Sequence, residues 1–260
     1  MPVLTPEIFL LLVCAALVAG FVDAIAGGGG LITVPVLALA GLDPVAAVAT
    51  NKVQSSFGTG SAMIAFARAG YLDRTAWPIP VACIAGGIAG AALLVHVPRG
   101  AVEIALPFVL IAVALYFALS PAISDADAAP RVSRAAFICF VLPLIAAYDG
   151  VFGPGAGSFY ALAFITLLGY GVGRATAHAK LANFASNIAG LATLAFSGHI
   201  YWSVGFAMGV AALTGATIGA RTTMRIGARI VRPMVITVCI ALAIKLAAQH
   251  ETVRQALGLH

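Results

Sequence analysis

Long apolar stretches fill most of the chain, and the polar segments between them are few and short. Runs of about 20 apolar residues are long enough to cross a bilayer as helices, and about eight such runs are present. They cover residues 7–40, 44–67, 77–97, 102–120, 135–168, 175–197, 202–220 and 233–249. The apolar residues are continuous rather than alternating with polar ones, which excludes a membrane β-barrel. The pattern predicts an all-α integral membrane protein with about eight transmembrane helices.

Glycine interrupts two of these runs. The first contains "AGGGGL", with glycines at 27–30, and the second contains "FGPGAGS", where Pro154 also removes a backbone donor. Irregular backbone within a membrane persists only where it is buried in protein or lines a wet cavity. The half-helices beginning near Leu31 and Ser158 would point free N–H groups into that cavity, which favours an anion. Close packing of helices through small residues is the alternative explanation.

The interrupted runs lie in two halves that resemble each other. Asp23 aligns with Asp149 at an offset of 126 residues, and Lys52 aligns with Lys180 at an offset of 128. The chain has only three lysines, so the match of two is informative. Glycine-broken segments in corresponding positions of two halves are typical of a transporter site. Whether the halves are parallel or inverted stays open at this point.

A polar segment bounded by prolines, "SPAISDADAAPRVSR" at residues 120–134, separates the two halves. We therefore predict a first four-helix repeat over residues 1–120, a polar linker over 121–134 and a second four-helix repeat over 135–260.

Lys52 and Lys180 carry charge inside apolar runs, where a charge costs several kcal/mol and usually has a function. Two cations near a twofold axis could face a shared anion. Alternatively, each could form a fixed internal salt bridge with Asp23 or Asp149. Both interpretations hold together if a substrate displaces the carboxylate.

Polar side chains near the lysines suggest further contacts. Lys180, Asn183 and Asn187 have the spacing i, i+3, i+7 and so share one helical face, where the amides could donate to an anion or bond between helices. A histidine beside the second lysine could relay a proton, or the aspartates could take it up. The predicted substrate-binding residues are Lys52, Lys180, Asn51, Gln54, Asn183, Asn187, Gly28, Gly29, Gly30, Gly155, Gly157 and Ser158. The predicted proton-coupling or counter-ion residues are Asp23, Asp149 and His178.

Composition agrees with this picture and excludes other classes. Hydrophobic residues make up 62% of the chain and charged residues 9%, against roughly 25% charged residues in soluble domains, and the mean hydropathy is +1.07. The net charge of +5 comes from arginines in short loops rather than from a basic patch with aromatic residues, so no nucleic acid is expected. The four cysteines show no CxxC spacing, and no cofactor or metal is expected. The N-terminus lacks the basic region of a signal peptide, so no cleavage is expected.

The arginines leave the orientation open. A cluster after the seventh run indicates a cytoplasmic loop and, with eight crossings, places both termini outside. The cluster consists of Arg221, Arg225, Arg229 and Arg232. A second group falls on the opposite side by the same count. It consists of Arg68, Arg74, Arg131 and Arg134.

The stretches "GFVDAIAGGGGLITVPVL", "ATNK", "YDGVFGPGAGSF" and "ATAHAKLANF" resemble the sulfite exporter TauE/SafE family, the TSUP permeases, and in particular its YfcA-like branch. The resemblance covers nearly the whole chain. It implies a bacterial inner-membrane protein of about eight helices that moves sulfur-containing anions such as sulfite or sulfonates. The second motif reads "AHAK" where the first reads "ATNK", so equal roles for the two halves are not implied.

The sequence thus predicts a secondary transporter for a small anion that works by alternating access. An anion channel or passive facilitator is one alternative. An intramembrane enzyme with two aspartates sharing a proton is another, although neither aspartate follows the GxG of a GxGD sequence. The expected partners are the anionic substrate and the lipid bilayer. Helical bundles of this kind commonly form homodimers, and the sequence is compatible with one.

Overall fold

The computed structural model of the chain describes residues 5–97 and 126–226. Within these two ranges the chain is helical and forms no strand. The helices are α1 (Pro6–Ala26), α2 (Gly29–Leu39), α3 (Pro44–Arg68), α4 (Pro78–His96), α5 (Arg134–Val151), α6 (Ala156–Leu168), α7 (Val172–Leu194) and α8 (Trp202–Ile226). The apolar runs at 102–120 and 233–249 lie outside the described residues, so the complete count of transmembrane helices stays a prediction.

Local sequence signals set where several helices begin and end. Thr5 caps α1 by accepting a hydrogen bond from the backbone N–H of Ile8 (3.4 Å), and Asp43 caps α3 by accepting one from Ala46 (3.1 Å). A proline follows each cap, at a position where its missing N–H costs nothing. Gly27 ends α1 in the left-handed conformation that glycine adopts most readily.

Among the described helices, α1, α4 with the turn before it, α5 and α8 are long and apolar enough to cross a membrane. α2 and α6 are apolar but have only 11 and 13 residues. α3 and α7 have 25 and 23 residues and are less apolar because they carry the lysines and their polar neighbours. Leu10, Phe140 and Leu144 on outward faces are 63%, 74% and 73% exposed. Such a surface fits hydrocarbon rather than water, and the helices are those of a multi-pass membrane protein.

The two glycine-interrupted runs each fold back as a helical hairpin. In the first hairpin (α1–α2), a Cβ on Gly29 would lie 2.9 Å from the carbonyl oxygen of Ala19. In the second hairpin (α5–α6), the rings of Phe137 and Phe164, at the start and near the end of the hairpin, have centroids 4.9 Å apart. Residues that are distant along each run therefore lie side by side, which a kinked but continuous helix would not allow.

Contacts between helices fix the directions in which they run. α1 and α3 are parallel to α8, and α4 is parallel to α5. The supporting pairs are 17 with 215, 21 with 219, 53 with 205, 57 with 209, 86 with 143 and 90 with 147. α3 and α7 are antiparallel, since position 52 contacts 190 and position 60 contacts 184. α5 and α7 begin at the same end, where Ala128 donates to the carbonyl oxygen of Gly169 (2.7 Å). The two hairpins therefore enter the bundle from opposite ends.

Arginines gather where α3 and α8 end and α5 and α7 begin, which we call the arginine end. Arg68 and Arg221 line one groove there, and Arg134 Nη1 donates to Thr75 Oγ1 (3.0 Å). The sequence-based count placed Arg68, Arg74 and Arg134 on the opposite side from Arg221 and Arg225, so for these residues it is wrong. It counted run 135–168, which lies between Arg134 and Arg221, as a crossing, whereas the second hairpin enters and leaves the bundle at the same end.

Candidate functional site

The tips of the two hairpins meet inside the bundle with no side chain between their backbones. The carbonyl oxygen of Gly27 accepts a hydrogen bond from the backbone N–H of Ser158 (3.2 Å), and Ser158 Oγ donates to the carbonyl oxygen of Ala26. A Cβ on Gly27 or Gly157 would overlap the backbone of the opposite hairpin. Glycine is required at these two positions because the backbones approach each other so closely.

Lys52 of α3 reaches the tip of the second hairpin. Its Nζ donates to Asp149 Oδ1 (2.7 Å) and also to the carbonyl oxygen of Asp149. The side chains of Lys52 and Asp149 are 0% and 2% exposed. Ser186 Oγ donates to the other carboxylate oxygen (2.5 Å). This ion pair is sealed from solvent, so removing one partner would leave a buried charge without compensation.

Lys180 of α7 makes the corresponding contact with the first hairpin. Its Nζ donates to Asp23 Oδ2 (2.8 Å) and also to the carbonyl oxygen of Asp23. Asp23 Oδ1 accepts a hydrogen bond from the backbone N–H of Gly29, the first residue of α2 (3.2 Å). The Asp23 side chain is 13% exposed. Each lysine therefore ties its own half of the chain to the hairpin of the other half.

A small polar cavity lies between the hairpin tips, α3 and α7. It is lined by Asp23, Gly27, Gly30, Asn51, Ser55, Thr59, Asp149, Gly153, Gly157, Asn183 and Asn187. Its volume open to the centre of a water molecule is about 10 Å³, which is room for about one water. In this conformation the cavity is too small for an anion of several atoms. The two aspartates of the cavity pair with lysines and not with each other.

The structure brings several predicted amides together at this cavity. Asn183 and Asn187 lie on the same face of α7, and Asn187 Nδ2 donates to Asn183 Oδ1 (2.5 Å). Asn51 Oδ1 accepts a hydrogen bond from Thr33 Oγ1 (2.5 Å). Gln54 is buried but does not line the cavity, and its Oε1 has no hydrogen-bond partner among the described residues.

Only some of the glycines that were predicted to bind substrate lie at the polar cavity. Gly30 and Gly157 line the cavity, whereas Gly28 and Gly155 do not. Gly29 serves through its backbone N–H, which bonds Asp23. Ser158 is occupied by its bonds to the first hairpin, and it faces a second, mostly apolar cavity of about 20 Å³ beside Lys180.

His178 lies apart from the polar cavity. Its Nδ1 is 2.8 Å from the carbonyl oxygen of Arg174, and its ring packs against those of Phe164 and Tyr170, with centroids 5.6 and 5.2 Å away. Its Nε2 is 3.3 Å from Asp73 Oδ2, without the geometry of a hydrogen bond. The structure thus groups His178 with the ionic residues of the arginine end and not with the lysine pairs.

Arg174 links three segments at the arginine end. Its Nη2 lies 2.7 Å from Asp73 Oδ2, in the connection between α3 and α4, and its Nη1 lies 2.8 Å from Asp127 Oδ2, in the linker. The backbone N–H of Gly171 and then Arg174 hold the pKa of Asp127 below its ordinary value. Burial alone would raise the pKa of Asp73, but the hydrogen bond from Arg174 and the charges of His178, Arg174 and Arg134 outweigh it, so the pKa is lowered.

These lowered pKa values predict a pH-dependent contribution to stability. A carboxyl with a lowered pKa stabilises the fold above its ordinary pKa, and this contribution is lost as the pH falls through the lowered value. Arg174→Gln should therefore destabilise the protein by up to about 1 kcal/mol at neutral pH, and by progressively less below about pH 4. Thermal unfolding of both proteins across this pH range measures the difference.

Arg225→Gln is the matched control, because Arg225 lies at the same end and has no ion-pair partner within the described ranges. Its effect should not depend on pH. A destabilisation by Arg174→Gln that stays constant down to acidic pH would contradict the assignment.

The set of predicted substrate-binding residues leaves out three residues that the structure places at the site, although Ser55 and Ser186 are among the polar residues near the lysines in the sequence. Ser55 and Thr59 line the cavity with Asn51, and Ser186 holds Asp149. The spacing of positions 51, 55 and 59 is i, i+4, i+8, which places them on one face of α3 and could have revealed them. The contact of Ser186 with Asp149 could not be predicted from the sequence, because it depends on the hairpin that packs against α7.

Hairpins from opposite ends of a helical membrane bundle, with buried charges where their tips meet, are features typical of membrane transporters. A profile of the sulfite exporter TauE/SafE family matches residues 12–246. The chain therefore belongs to the TauE/SafE family.

Relatives with similar lengths carry transporter names. "Probable membrane transporter protein ORF9" of Sinorhizobium sp is 46% identical over 235 residues, which is 90% of each chain. "Probable membrane transporter protein YfcA" of Escherichia coli strain K12 is 40% identical over 93% of this chain and 90% of its own. A "Probable membrane transporter protein" of Haemophilus influenzae is 39% identical over 92% of this chain and 94% of its own. These are names of membrane transporters and not of enzymes. No solved structure gives a significant match.

Proposed function

We propose that the chain is a secondary transporter that moves a small oxyanion, such as sulfite or a sulfonate, across the membrane by alternating access. One observation carries this proposal. Two ion pairs, Lys52 with Asp149 and Lys180 with Asp23, each join one half of the chain to the other beside a single polar cavity. Ammonium groups, amides and helix N-termini are donors that suit oxyanions. The family name, which refers to sulfite export, supports a sulfur-containing substrate.

We propose further that the two four-helix repeats, residues 1–120 and 135–260 around the linker 121–134, have inverted topology and supply about eight transmembrane segments in all, with each hairpin counted as one segment. α1 and α3 correspond to α5 and α7 by the sequence alignment. The observed helix directions support inversion, because the hairpins of the two halves enter from opposite ends and α3 and α7 are antiparallel. Inverted repeats are a common basis of alternating access in secondary transporters.

The closed cavity is consistent with an occluded conformation. With room for about one water, it admits an oxyanion only if the hairpin tips separate. The lysine pairs run between the halves, so rocking of one half against the other would break or rearrange them. Binding of an anion to a freed lysine compensates for the lost carboxylate, which links substrate binding to the conformational change.

We place the arginine end in the cytoplasm of a bacterial cell, with the protein in the inner membrane. Seven arginines of the described ranges lie at this end: Arg68, Arg74, Arg131, Arg134, Arg174, Arg221 and Arg225. Cytoplasmic loops carry an excess of arginine and lysine. A homodimer remains compatible with this placement.

Ligand-dependent stability tests the proposal. Sulfite, thiosulfate, methanesulfonate and acetate would each be titrated into the purified full chain in detergent while thermal unfolding is followed. We expect a sulfur oxyanion to raise the unfolding temperature, since a ligand at 100 times its Kd stabilises the native state by about 2.7 kcal/mol. Lys180→Met should abolish the shift, and it should abolish uptake of the same anion into proteoliposomes.

Arg68→Met is the control for loss of a cation, because Arg68 is exposed at the arginine end and does not line the cavity. It should retain both the thermal shift and the uptake. Uptake that is equal in wild type and Lys180→Met would exclude the proposed site. Uptake with and without an imposed pH gradient distinguishes a coupled carrier from a passive facilitator.

A further inference from the structure

We propose that the Asp23 carboxylate is a tethered occupant of the anion site, and that a substrate oxyanion binds by displacing it while Asp23 takes up one proton. The inference rests on the proposed function and assigns unequal roles to the two ion pairs. Asp23 is the exchangeable carboxylate, and Asp149 is a fixed structural one. The substrate class that follows is a small oxyanion able to present two oxygens to the donors that Asp23 now occupies.

The contacts of Asp23 are those an oxyanion would make. One carboxylate oxygen accepts from the backbone N–H of Gly29 at the start of α2 (3.2 Å). The other accepts from the ammonium group of Lys180 (2.8 Å). Gly28, the residue that precedes α2, has no side chain to cap the helix. Asp23 also lines the polar cavity, so its carboxylate stands between these two donors and the space that a ligand would enter.

Asp149 has a different environment. Its carboxylate is held by Lys52 (2.7 Å) and Ser186 (2.5 Å) and is only 2% exposed, against 13% for Asp23. No backbone N–H at the start of α6 donates to the Asp149 carboxylate, and Ser158 N–H bonds the carbonyl oxygen of Gly27. Displacing Asp149 would break an ion pair that is sealed from solvent, whereas Asp23 already holds a backbone N–H that an incoming anion could take over. The exchange is therefore assigned to Asp23.

Charge balance requires the proton. The titratable groups facing Asp23 are Lys180 from α7 and, across the cavity, Asp149 from α5 with Lys52 of α3 behind it. α8 packs against α1 through small residues such as positions 215 and 219, which do not titrate. Two ammonium groups and two carboxylates sum to zero. An added anion would leave an uncompensated charge in a buried cavity, whereas protonation of Asp23 keeps the sum at zero.

Proton uptake on binding tests the inference directly. Methanesulfonate, which keeps its single negative charge throughout, would be titrated into the purified full chain by calorimetry. Buffers with different ionisation enthalpies, at about pH 5.5 and about pH 8, report the number of protons taken up. We expect one proton per bound anion, and an affinity that weakens by up to tenfold for each unit of rising pH. Asp23→Asn should bind with no proton uptake and no pH dependence.

Asp43→Asn is the matched control, because it removes a carboxylate from the cap of α3 and asparagine caps a helix equally well. It should take up one proton as wild type does. If Asp23→Asn does not fold, the proton count of the wild type alone decides. Binding by wild type without proton uptake, or unchanged uptake in Asp23→Asn, would overturn this inference and leave the anion site standing. If methanesulfonate binds neither wild type nor Asp23→Asn at either pH, both the anion site and this inference fail.

Discussion

Asp149→Asn is expected to lower the free energy of unfolding by about 3–5 kcal/mol, the cost of leaving a buried charge without its partner. Lys52 is 0% exposed and its ammonium group lies 2.7 Å from the Asp149 carboxylate. Once the carboxylate is gone, the ammonium group can therefore neither be solvated by water nor reach the surface by a change of rotamer. Asparagine keeps the shape and can still bond Ser186, which isolates the effect of the charge. Equilibrium unfolding of the detergent-solubilised chain measures the change.

The double variant Lys52→Met/Asp149→Asn separates charge from packing. Removing both charges should recover much of the stability lost in the single variant, because no ion is then left buried. A coupling energy between the two sites follows from the double-mutant cycle. Equal destabilisation by the single and double variants would show that the charge of Lys52 does not cause the loss.

Gly27→Ala is expected to destabilise the protein by about 2–5 kcal/mol. A residue with a Cβ at φ +77° costs about 1–2 kcal/mol, and overpacking against a rigid backbone costs about 1–3 kcal/mol more. The added Cβ would meet the backbone of Gly157 and Ser158 in the opposite hairpin, which no side-chain rotation relieves. Thermal unfolding measures the loss, and anion uptake should fall with it.

Two controls separate the causes. Gly70 has φ +81° with nothing within 4 Å of an added Cβ, so Gly70→Ala should cost only the conformational strain of about 1–2 kcal/mol. Gly28, in the same glycine run, has φ −110°, and an added Cβ would lie 3.2 Å from the flexible end of Leu31. Gly28→Ala should cost less than about 1 kcal/mol. If Gly27→Ala were no worse than Gly70→Ala, close contact of the hairpin tips would not be the reason for glycine.

The predicted apolar runs agree closely with the observed helices wherever the structure describes them. Run 44–67 corresponds to α3 and run 202–220 lies within α8. The reason is that lipid leaves the backbone almost no choice but the helix, so hydrophobicity alone predicts secondary structure. The breaks near residues 27 and 153 are also where the sequence predicted them, because glycine and proline act locally.

The path of the chain through those breaks was not predictable. A glycine run permits a kink, an unwound stretch or a reversal, and the choice depends on what packs against each half-helix. The assignment of the arginines to two sides of the membrane failed for this reason. A run that turns back as a hairpin does not cross the membrane, so every later loop lies on the opposite side from the one that the count gave. The ion-pair partner of each lysine was likewise not predictable, because the sequence alone allows each lysine to pair with either Asp23 or Asp149.

The sequence by itself determined that this protein is helical and membrane-embedded, that its backbone breaks at two glycine segments, and that buried lysines and aspartates recur in two halves. These properties follow from hydrophobicity, backbone propensity and the cost of buried charge, which act over a few residues. Only the tertiary structure decided that the breaks are hairpins from opposite ends and that each lysine pairs across to the other half. It also decided that Asp23 and Asp149 differ in their contacts. The lysine pairs join residues 97 and 157 positions apart and arise only when the helices pack.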